Sequence, residues 1–277
     1  MTLTTFGIVL FAALLHAGWN AIVKSGEDKL LSTTLVAGAA ALLAIMALPF
    51  LSAPAPASWP FMGASTVLQI GYYLMVARIY QTADMSLAYP LMRGSAPLIV
   101  AVVSTVLLRE SFSLLVWLGI ATICAGILSM MVAHRTSQGG SLWPILLNAC
   151  IIAAYTLIDG QGVRRSNAPV AYTLWIFLLT GAPLVAWVLL TRRPAFVQYL
   201  RVNWRSGTIG GTGSVASYGL ALWAMTIAPV AVVSALRETS IVFGTLISGL
   251  VLQERVGRAR ILAACTIAAG AIALRLA

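Results

Sequence analysis

The sequence predicts an all-α integral membrane protein of ten transmembrane helices, built as two five-helix repeats of inverted topology. Three observations lead to this fold class. Hydrophobic residues make up 60% of the 277 positions and charged residues only 9%, and the mean hydropathy is +0.96. Apolar runs long enough to cross a bilayer follow one another along the chain, and the last part of the chain resembles its middle. Most of this surface therefore needs lipid rather than water around it.

The spans are predicted from the length of each apolar run. A helix needs about 20 mostly apolar residues to cross a hydrocarbon core of about 30 Å. Runs of that length, separated by charged residues, Pro or Gly, lie at 3–23, 31–51, 60–80, 85–108 and 113–133 in the first half. In the second half they lie at 142–162, 169–190, 207–227, 229–252 and 259–276.

The connections between these runs leave no room for a soluble domain. Residues 52–58 form an uncharged, Pro-rich turn. Residues 191–206 carry four arginines among aromatic side chains, a composition that suits a loop with a short interfacial helix. Spans eight and nine are divided only by Ile227, Ala228 and Pro229, so this boundary is the least marked in the sequence.

An internal repeat relates the two halves. A shift of 144 residues aligns 82–133 with 226–277 without a gap, with 11 identities in 52 positions. Arg93 then falls on Arg237 and Glu110 on Glu254, matches that apolar composition alone does not produce. Because each half has an odd number of spans, the second half enters the bilayer from the opposite side, as in many secondary transporters. The predicted repeats are residues 1–135 and 140–277.

Basic residues predict the orientation and the setting. The connections after odd-numbered spans hold Lys24, Lys29, Arg78, Arg135, Arg192, Arg193, Arg201, Arg205, Arg255, Arg258 and Arg260. The other side holds Arg109, Arg164, Arg165 and Arg275. Since Lys and Arg accumulate on the cytoplasmic side, we expect both termini outside the cytoplasm and the protein in the inner (plasma) membrane.

The formal charge of +10 has the same explanation. Basic loops of a membrane protein contact lipid headgroups, so nucleic acid is not an expected partner.

Cys124, Cys150 and Cys265 each lie within an apolar run and have no metal-ligand spacing, so neither a metal nor a cofactor is expected. Nothing resembles a metal box, a nucleophile elbow or a channel filter, which disfavours a membrane-embedded enzyme or a channel.

Several short motifs add a family resemblance. They are Ala17-Gly18-Trp19-Asn20 in span one, Leu-Arg-Glu at 108–110, Leu-Gln-Glu at 252–254, and the small-residue helices that follow those two turns. In these features the chain resembles the drug/metabolite transporter superfamily, in the branch of ten-helix proteins with two EamA-like domains. The resemblance implies a permease, often an exporter, for amino acids, sugars, nucleotide-linked metabolites or other small organic solutes.

Two arginines are not part of the family resemblance and are interpreted from the energetics of charges in a membrane. Arg93 and Arg237 each lie eight residues into a span, where a charge costs a few kcal/mol and therefore suggests a function. We expect both to line a cavity that binds a carboxylate through the guanidinium fork. The alternative is structural: Arg237 would be neutralised by Asp159 or Glu238, and Arg93 would be satisfied by helix-end carbonyls.

Other polar residues are expected to share that cavity. Glu238 is a candidate to carry a coupling proton, or to form a salt bridge with a neighbouring helix. Asp159 is a second candidate for coupling, or for pairing with Arg164. His16 and Asn20 form a stripe with Lys24 on span one, and Tyr155 shares a stripe with Asn148 and Asp159 on span six. The remaining candidates are Tyr72 and Tyr89, which could instead be interface anchors.

Together these features predict a carrier of amino acids or other carboxylate-bearing solutes, with sugars, sugar phosphates and nucleotide-linked metabolites as alternatives. Protons are a possible coupling ion. Spans five and ten carry no ionisable residue in their middle and are rich in Ala and Gly. We expect them to serve as packing helices, and they could form the contact surface of a homodimer.

Overall fold

A computed structural model describes residues 1–82, 85–132, 142–250, 253 and 256–277. These residues are mostly α-helical, and no strand occurs among them. The helices are α1 (Leu3–Ser25), α2 (Lys29–Ala47), α3 (Trp59–Thr82), α4 (Met85–Leu107), α5 (Leu114–Val132), α6 (Trp143–Ser166), α7 (Pro169–Ile227), α8 (Val230–Arg237), α9 (Ser240–Leu250) and α10 (Arg258–Leu276). Within the described ranges, eight helical stretches are long and apolar enough to cross a membrane.

Most predicted spans coincide with a helix to within a few residues. These are spans one to six, which match α1 to α6, and span ten, which matches α10. Helix α3 is as long as its neighbours but is not among the eight apolar stretches. The Leu-Gln-Glu turn apart from Gln253, the connection that carries Arg135, and the predicted boundaries at 135 and 140 lie outside the described residues.

Residues 191–206, predicted as a connection with a short interfacial helix, belong to helix α7. The segment is helical, and α7 runs through predicted spans seven and eight with one interruption at Arg192, whose φ of −139° and ψ of 33° are non-helical. Pro194 follows the interruption, in the first turn of the second leg, where the fixed φ of proline suits a helix. Arg192 at the kink lies 3.7 Å from the Asp28 carboxylate at the start of α2.

Predicted span nine is also interrupted, which the sequence did not indicate. Helix α8 ends at Arg237, and α9 begins at Ser240. Between them the chain forms a tightened turn, in which the amides of Glu238 and Thr239 bond to the carbonyls of Ala235 and Leu236 at 3.0 Å. The turn contains neither Pro nor Gly, so none of the usual sequence signals for a helix break marks it.

Hydrogen bonds join the connections between helices at one end of the bundle. At one end the Ala55 amide donates to the Ser166 carbonyl at 2.8 Å, which joins the turn before α3 to the end of α6. At the same end Arg164 donates to the carbonyls of Met225 and Ala228, at 2.7 and 2.9 Å. Arg275 lies 3.4 Å from the Met1 carbonyl, so the chain termini are neighbours.

Helices α5 and α10 pack against each other through glycines, and the contact is reciprocal. A Cβ at Gly126 would lie 2.9 Å from Ile267 Cγ1 and 3.1 Å from the Ala263 carbonyl oxygen. A Cβ at Gly270 would lie 2.7 Å from Ile123 Cγ1 and 2.8 Å from the Gly119 carbonyl oxygen. The small residues therefore permit close backbone approach within one chain. The contact agrees with the expectation that α5 and α10 are packing helices, while a homodimer contact through their other faces stays a prediction.

Candidate functional site

Arg93 and Glu238 form a two-point ion pair between α4 and the turn that follows α8. Arg93 Nη2 lies 2.9 Å from Glu238 Oε1, and Arg93 Nε donates to Glu238 Oε2 at 3.0 Å. The side chains are 13% and 8% exposed. The structural alternative assigned helix-end carbonyls to Arg93 and an acid to Arg237. The structure instead pairs the acid with Arg93.

Arg237 has a different environment from its repeat-related partner. Its guanidinium carbon lies 5.0 Å from the centre of the Tyr218 ring, a cation–π contact. Glu238 is the next residue, but its carboxylate points to Arg93. Among the described residues no carboxylate lies within ion-pair distance of Arg237, so none of the acids described there occupies its donors.

Asp159 is fully buried and is held by uncharged donors. Tyr172 donates to Oδ1 at 3.0 Å, Gln69 donates to Oδ2 at 3.2 Å, and the Tyr218 hydroxyl also donates to Oδ2. This corrects the predicted pairing of Asp159 with Arg164 or Arg237. A buried carboxylate needs such donors when no cation is adjacent. Asp159 thus fixes the Tyr218 ring against which Arg237 stacks.

Arg164 lies elsewhere, at the end of the bundle where α6 stops. Besides the two α7 carbonyls, its Nη1 lies 3.5 Å from Glu110 Oε1. These bonds satisfy carbonyls that the last turn of α7 leaves without an intrahelical partner. The role of Arg164 in the described part of the chain is therefore to join three helix ends.

Four further predicted residues lie around the two arginines. The His16 ring contacts Trp19 edge-on, with centroids 5.2 Å apart, and it is within electrostatic range of Arg93 and Arg237. Tyr155 lies within the same range of both arginines, and its ring is 6.0 Å from that of Tyr72. Tyr89 lies one turn before Arg93 on α4 and interacts with it electrostatically.

The polar stripes of α1 and α6 do not lie wholly in this cluster. Asn20 is exposed, and its side-chain amide donates to the His16 carbonyl of the same helix at 2.7 Å. Asn148 is fully buried against α4, where its amide nitrogen lies 2.8 Å from the Met92 sulfur. Helix α6 therefore presents Tyr155 and Asp159 to the cluster while Asn148 contributes to packing.

Tyr218 and Tyr172 are the residues that the sequence analysis missed. Both lie on α7 and donate to Asp159, which also accepts a hydrogen bond from Gln69 of α3. The repeat offered one signal, because an upstream shift of 146 residues places Tyr72 on Tyr218. The arrangement contains two guanidiniums and two carboxylates, and no His, Cys, Asp or Glu group suited to a metal occurs among the residues described.

The fold and this cluster define a multi-pass membrane protein with partly exposed charges inside its spans, an arrangement typical of secondary transporters. Residues 140–276 match the family model of the EamA-like transporter family, and the chain belongs to the drug/metabolite transporter superfamily. The protein is therefore a membrane transporter of small solutes, in a family that is not enzymatic.

Solved structures support the fold. One crystal structure of a protein aligns over 100% of this chain and 98% of its own length, with a TM-score of 0.74 and 19% sequence identity. At that identity the likeness concerns the fold alone. No curated protein is significantly similar in sequence.

Proposed function

We propose that the protein is a secondary transporter that exports amino acids or other carboxylate-bearing solutes by alternating access between two inverted EamA-like halves. The observation that carries the proposal is the asymmetry of the two repeat-related arginines. Arg93 holds an acid of the protein, while Arg237 stacks on Tyr218 and has no carboxylate partner among the described residues. A guanidinium inside a span that has no such carboxylate partner is suited to bind the carboxylate of a solute.

Two structural features support the inverted repeat and its ten spans. Arg109 and Gln253 are 144 residues apart, and both adopt the left-handed backbone conformation, with φ of 55° and 53°. Non-glycine residues rarely adopt it, so its recurrence at equivalent positions indicates the same turn in each half. The α5–α10 contact obeys the same shift: Gly126 meets Ile267, and Gly270 meets Ile123. A reciprocal contact of this kind is characteristic of a two-fold relationship.

The ten spans follow from this relationship. The two legs of α7 correspond to spans seven and eight, and α8 with α9 corresponds to span nine. Interrupted spans that place charges near a repeat interface are a recurrent design of transporter sites. A channel would not need the paired acid on Arg93, so alternating access is the mechanism that fits these contacts better.

The proposal is tested with purified protein in liposomes. We expect saturable uptake of labelled alanine, phenylalanine, lactate or succinate, whereas glucose should not be taken up. Glucose 6-phosphate and UDP-glucose test the alternative that Arg237 recognises a phosphate, which the guanidinium fork also fits. Protein-free liposomes are the control. Uptake that rises linearly with concentration, without saturation, would contradict a carrier and indicate a channel.

The proposed orientation gives a separate prediction. A reporter fused after Ala277 should report a location outside the cytoplasm of the inner membrane, because 11 of the 15 loop Lys and Arg residues lie in the opposite set of connections. The contact between Arg275 and Met1 requires a reporter at the N-terminus to give the same answer. Cytoplasmic signals from both fusions would show the opposite of the predicted orientation, but they would not change the helix assignments.

A further inference from the structure

We propose that the substrate carboxylate received by Arg237 passes to Arg93, whose fork Glu238 occupies in this structure, and that it enters that fork only as Glu238 takes up a proton. One proton then moves with each substrate of net charge −1, in the same direction. This inference rests on the proposed function, since it requires a carboxylate-bearing substrate. It goes beyond that function by naming the coupling ion, the residue that binds it and the direction of coupling.

The geometry of the Arg93–Glu238 pair carries the argument. Two parallel contacts at 2.9 and 3.0 Å join the Nη2–Nε edge of Arg93 to both oxygens of Glu238. This is the bidentate arrangement in which a guanidinium recognises any carboxylate. With only 13% of the Arg93 side chain exposed, a second carboxylate has little room beside the first. Substrate and ionised Glu238 are therefore mutually exclusive at this edge.

The charges of the cluster give the reason for a proton. The cluster holds two guanidiniums, Arg93 and Arg237, and two carboxylates, Glu238 and Asp159, so with all four ionised their charges sum to zero without substrate. A substrate with one carboxylate and no cation of its own, such as lactate, adds one negative charge to a poorly solvated region, which is unfavourable. One proton on Glu238 restores the balance. In the loaded state Arg93 holds the substrate carboxylate, and Glu238 is a neutral acid that has released the fork.

The other titratable groups around Glu238 do not offer the same exchange. Those within electrostatic range are Arg93 and Tyr89 of α4, Arg237 of α8, Tyr155 of α6 and Cys124 of α5, while His16 of α1 faces both arginines. Asp159, the remaining acid, is fully buried and already accepts three hydrogen bonds from uncharged donors. Glu238 is thus the acid of this cluster that is bound to an arginine.

The test measures solute and proton together. Liposomes containing the protein and a lumenal pH-sensitive dye receive labelled lactate, which has one carboxylate and no ammonium group. We expect one proton to enter per lactate, and the apparent KM to rise by up to about tenfold per pH unit once Glu238 is ionised. With Glu238→Gln, Arg93 is no longer occupied by an acid. Uptake should then cause no proton entry, and its KM should not vary with pH.

Glu110→Gln is the matched control, because Glu110 is another glutamate that lies beside an arginine, Arg164. It should retain both the proton entry and the pH dependence. If Glu238→Gln still moves one proton per solute, or if His16→Gln rather than Glu238→Gln abolishes the coupling, this inference is wrong while the proposed function stands. If the wild-type protein takes up none of alanine, phenylalanine, lactate and succinate, the proposed function is wrong and the coupling falls with it.

Discussion

Replacing Arg237 with Gln is expected to reduce transport at least tenfold while the yield of folded protein stays near that of the wild type. Replacing Arg93 with Gln should instead lower the yield sharply. The difference follows from the partners of the two side chains. Loss of Arg93 leaves Glu238 as a buried acid without its cation, which costs about 3–5 kcal/mol when the pair is well desolvated. Loss of Arg237 breaks no ion pair among the described residues.

The measurement compares detergent-solubilised monodisperse protein and uptake rate for each variant. The double variant Arg93→Gln/Glu238→Gln should recover the yield, because it removes both charges, and it should still fail to transport. Arg237→Lys should recover transport only in part, since an ammonium lacks the planar fork. Equal loss of yield in Arg93→Gln and Arg237→Gln would contradict the different pairing of the two arginines. Full transport by Arg237→Gln would exclude Arg237 from the site.

The second large effect is expected at the crossing of α5 and α10. Gly270→Ala should destabilise the protein by about 1–3 kcal/mol, the usual cost of inserting a methyl group where the surroundings cannot yield. The added Cβ would meet the Gly119 carbonyl oxygen and the Ile123 amide nitrogen, both at 2.8 Å. Because these are backbone atoms, a side-chain rotation cannot relieve the clash, and the helices must separate.

Gly244→Ala is the matched control, since a Cβ at this position in α9 has no neighbour within 4 Å. It should leave the melting temperature in detergent unchanged or raise it slightly. Gly126→Ala should resemble Gly270→Ala, and the double variant should lose less than the sum, because the first methyl group already separates the helices. Equal melting temperatures for the Gly244 and Gly270 variants would refute the close contact.

The sequence predicted helices where apolar length alone determines them. Spans one to six and ten are continuous apolar runs, and their helices begin and end close to the predicted residues. It missed two features that hydropathy does not encode. The basic stretch at 191–206 has too many charges for a span, but the structure continues its helix into both neighbouring spans, with one kink at Arg192. The interruption between α8 and α9 is marked by neither Pro nor Gly.

The candidate site was predicted in composition better than in pairing. His16, Tyr72, Tyr89, Tyr155 and the two arginines do lie near one another. Which acid meets which arginine depends on the rotation of each helix about its axis, and the repeat does not fix that rotation. The two tyrosines that hold Asp159 were missed for a related reason. A tyrosine inside an apolar run is compatible with packing, with an interface anchor and with a hydrogen bond to a distant acid.

The reciprocal glycine contact has a consequence for biogenesis. Equivalent residues of α5 and α10, such as Gly126 and Gly270, are separated by 144 residues of chain, so α5 is synthesised long before α10. At translation rates of about 5–20 residues per second, the interval is about 7–30 s. During that time the glycine face of α5 lies against lipid or a membrane chaperone rather than against its final neighbour. The synthesis of α10 therefore completes the packing of α5, and a ribosome that stalls before α10 leaves the glycine face of α5 without its helix partner.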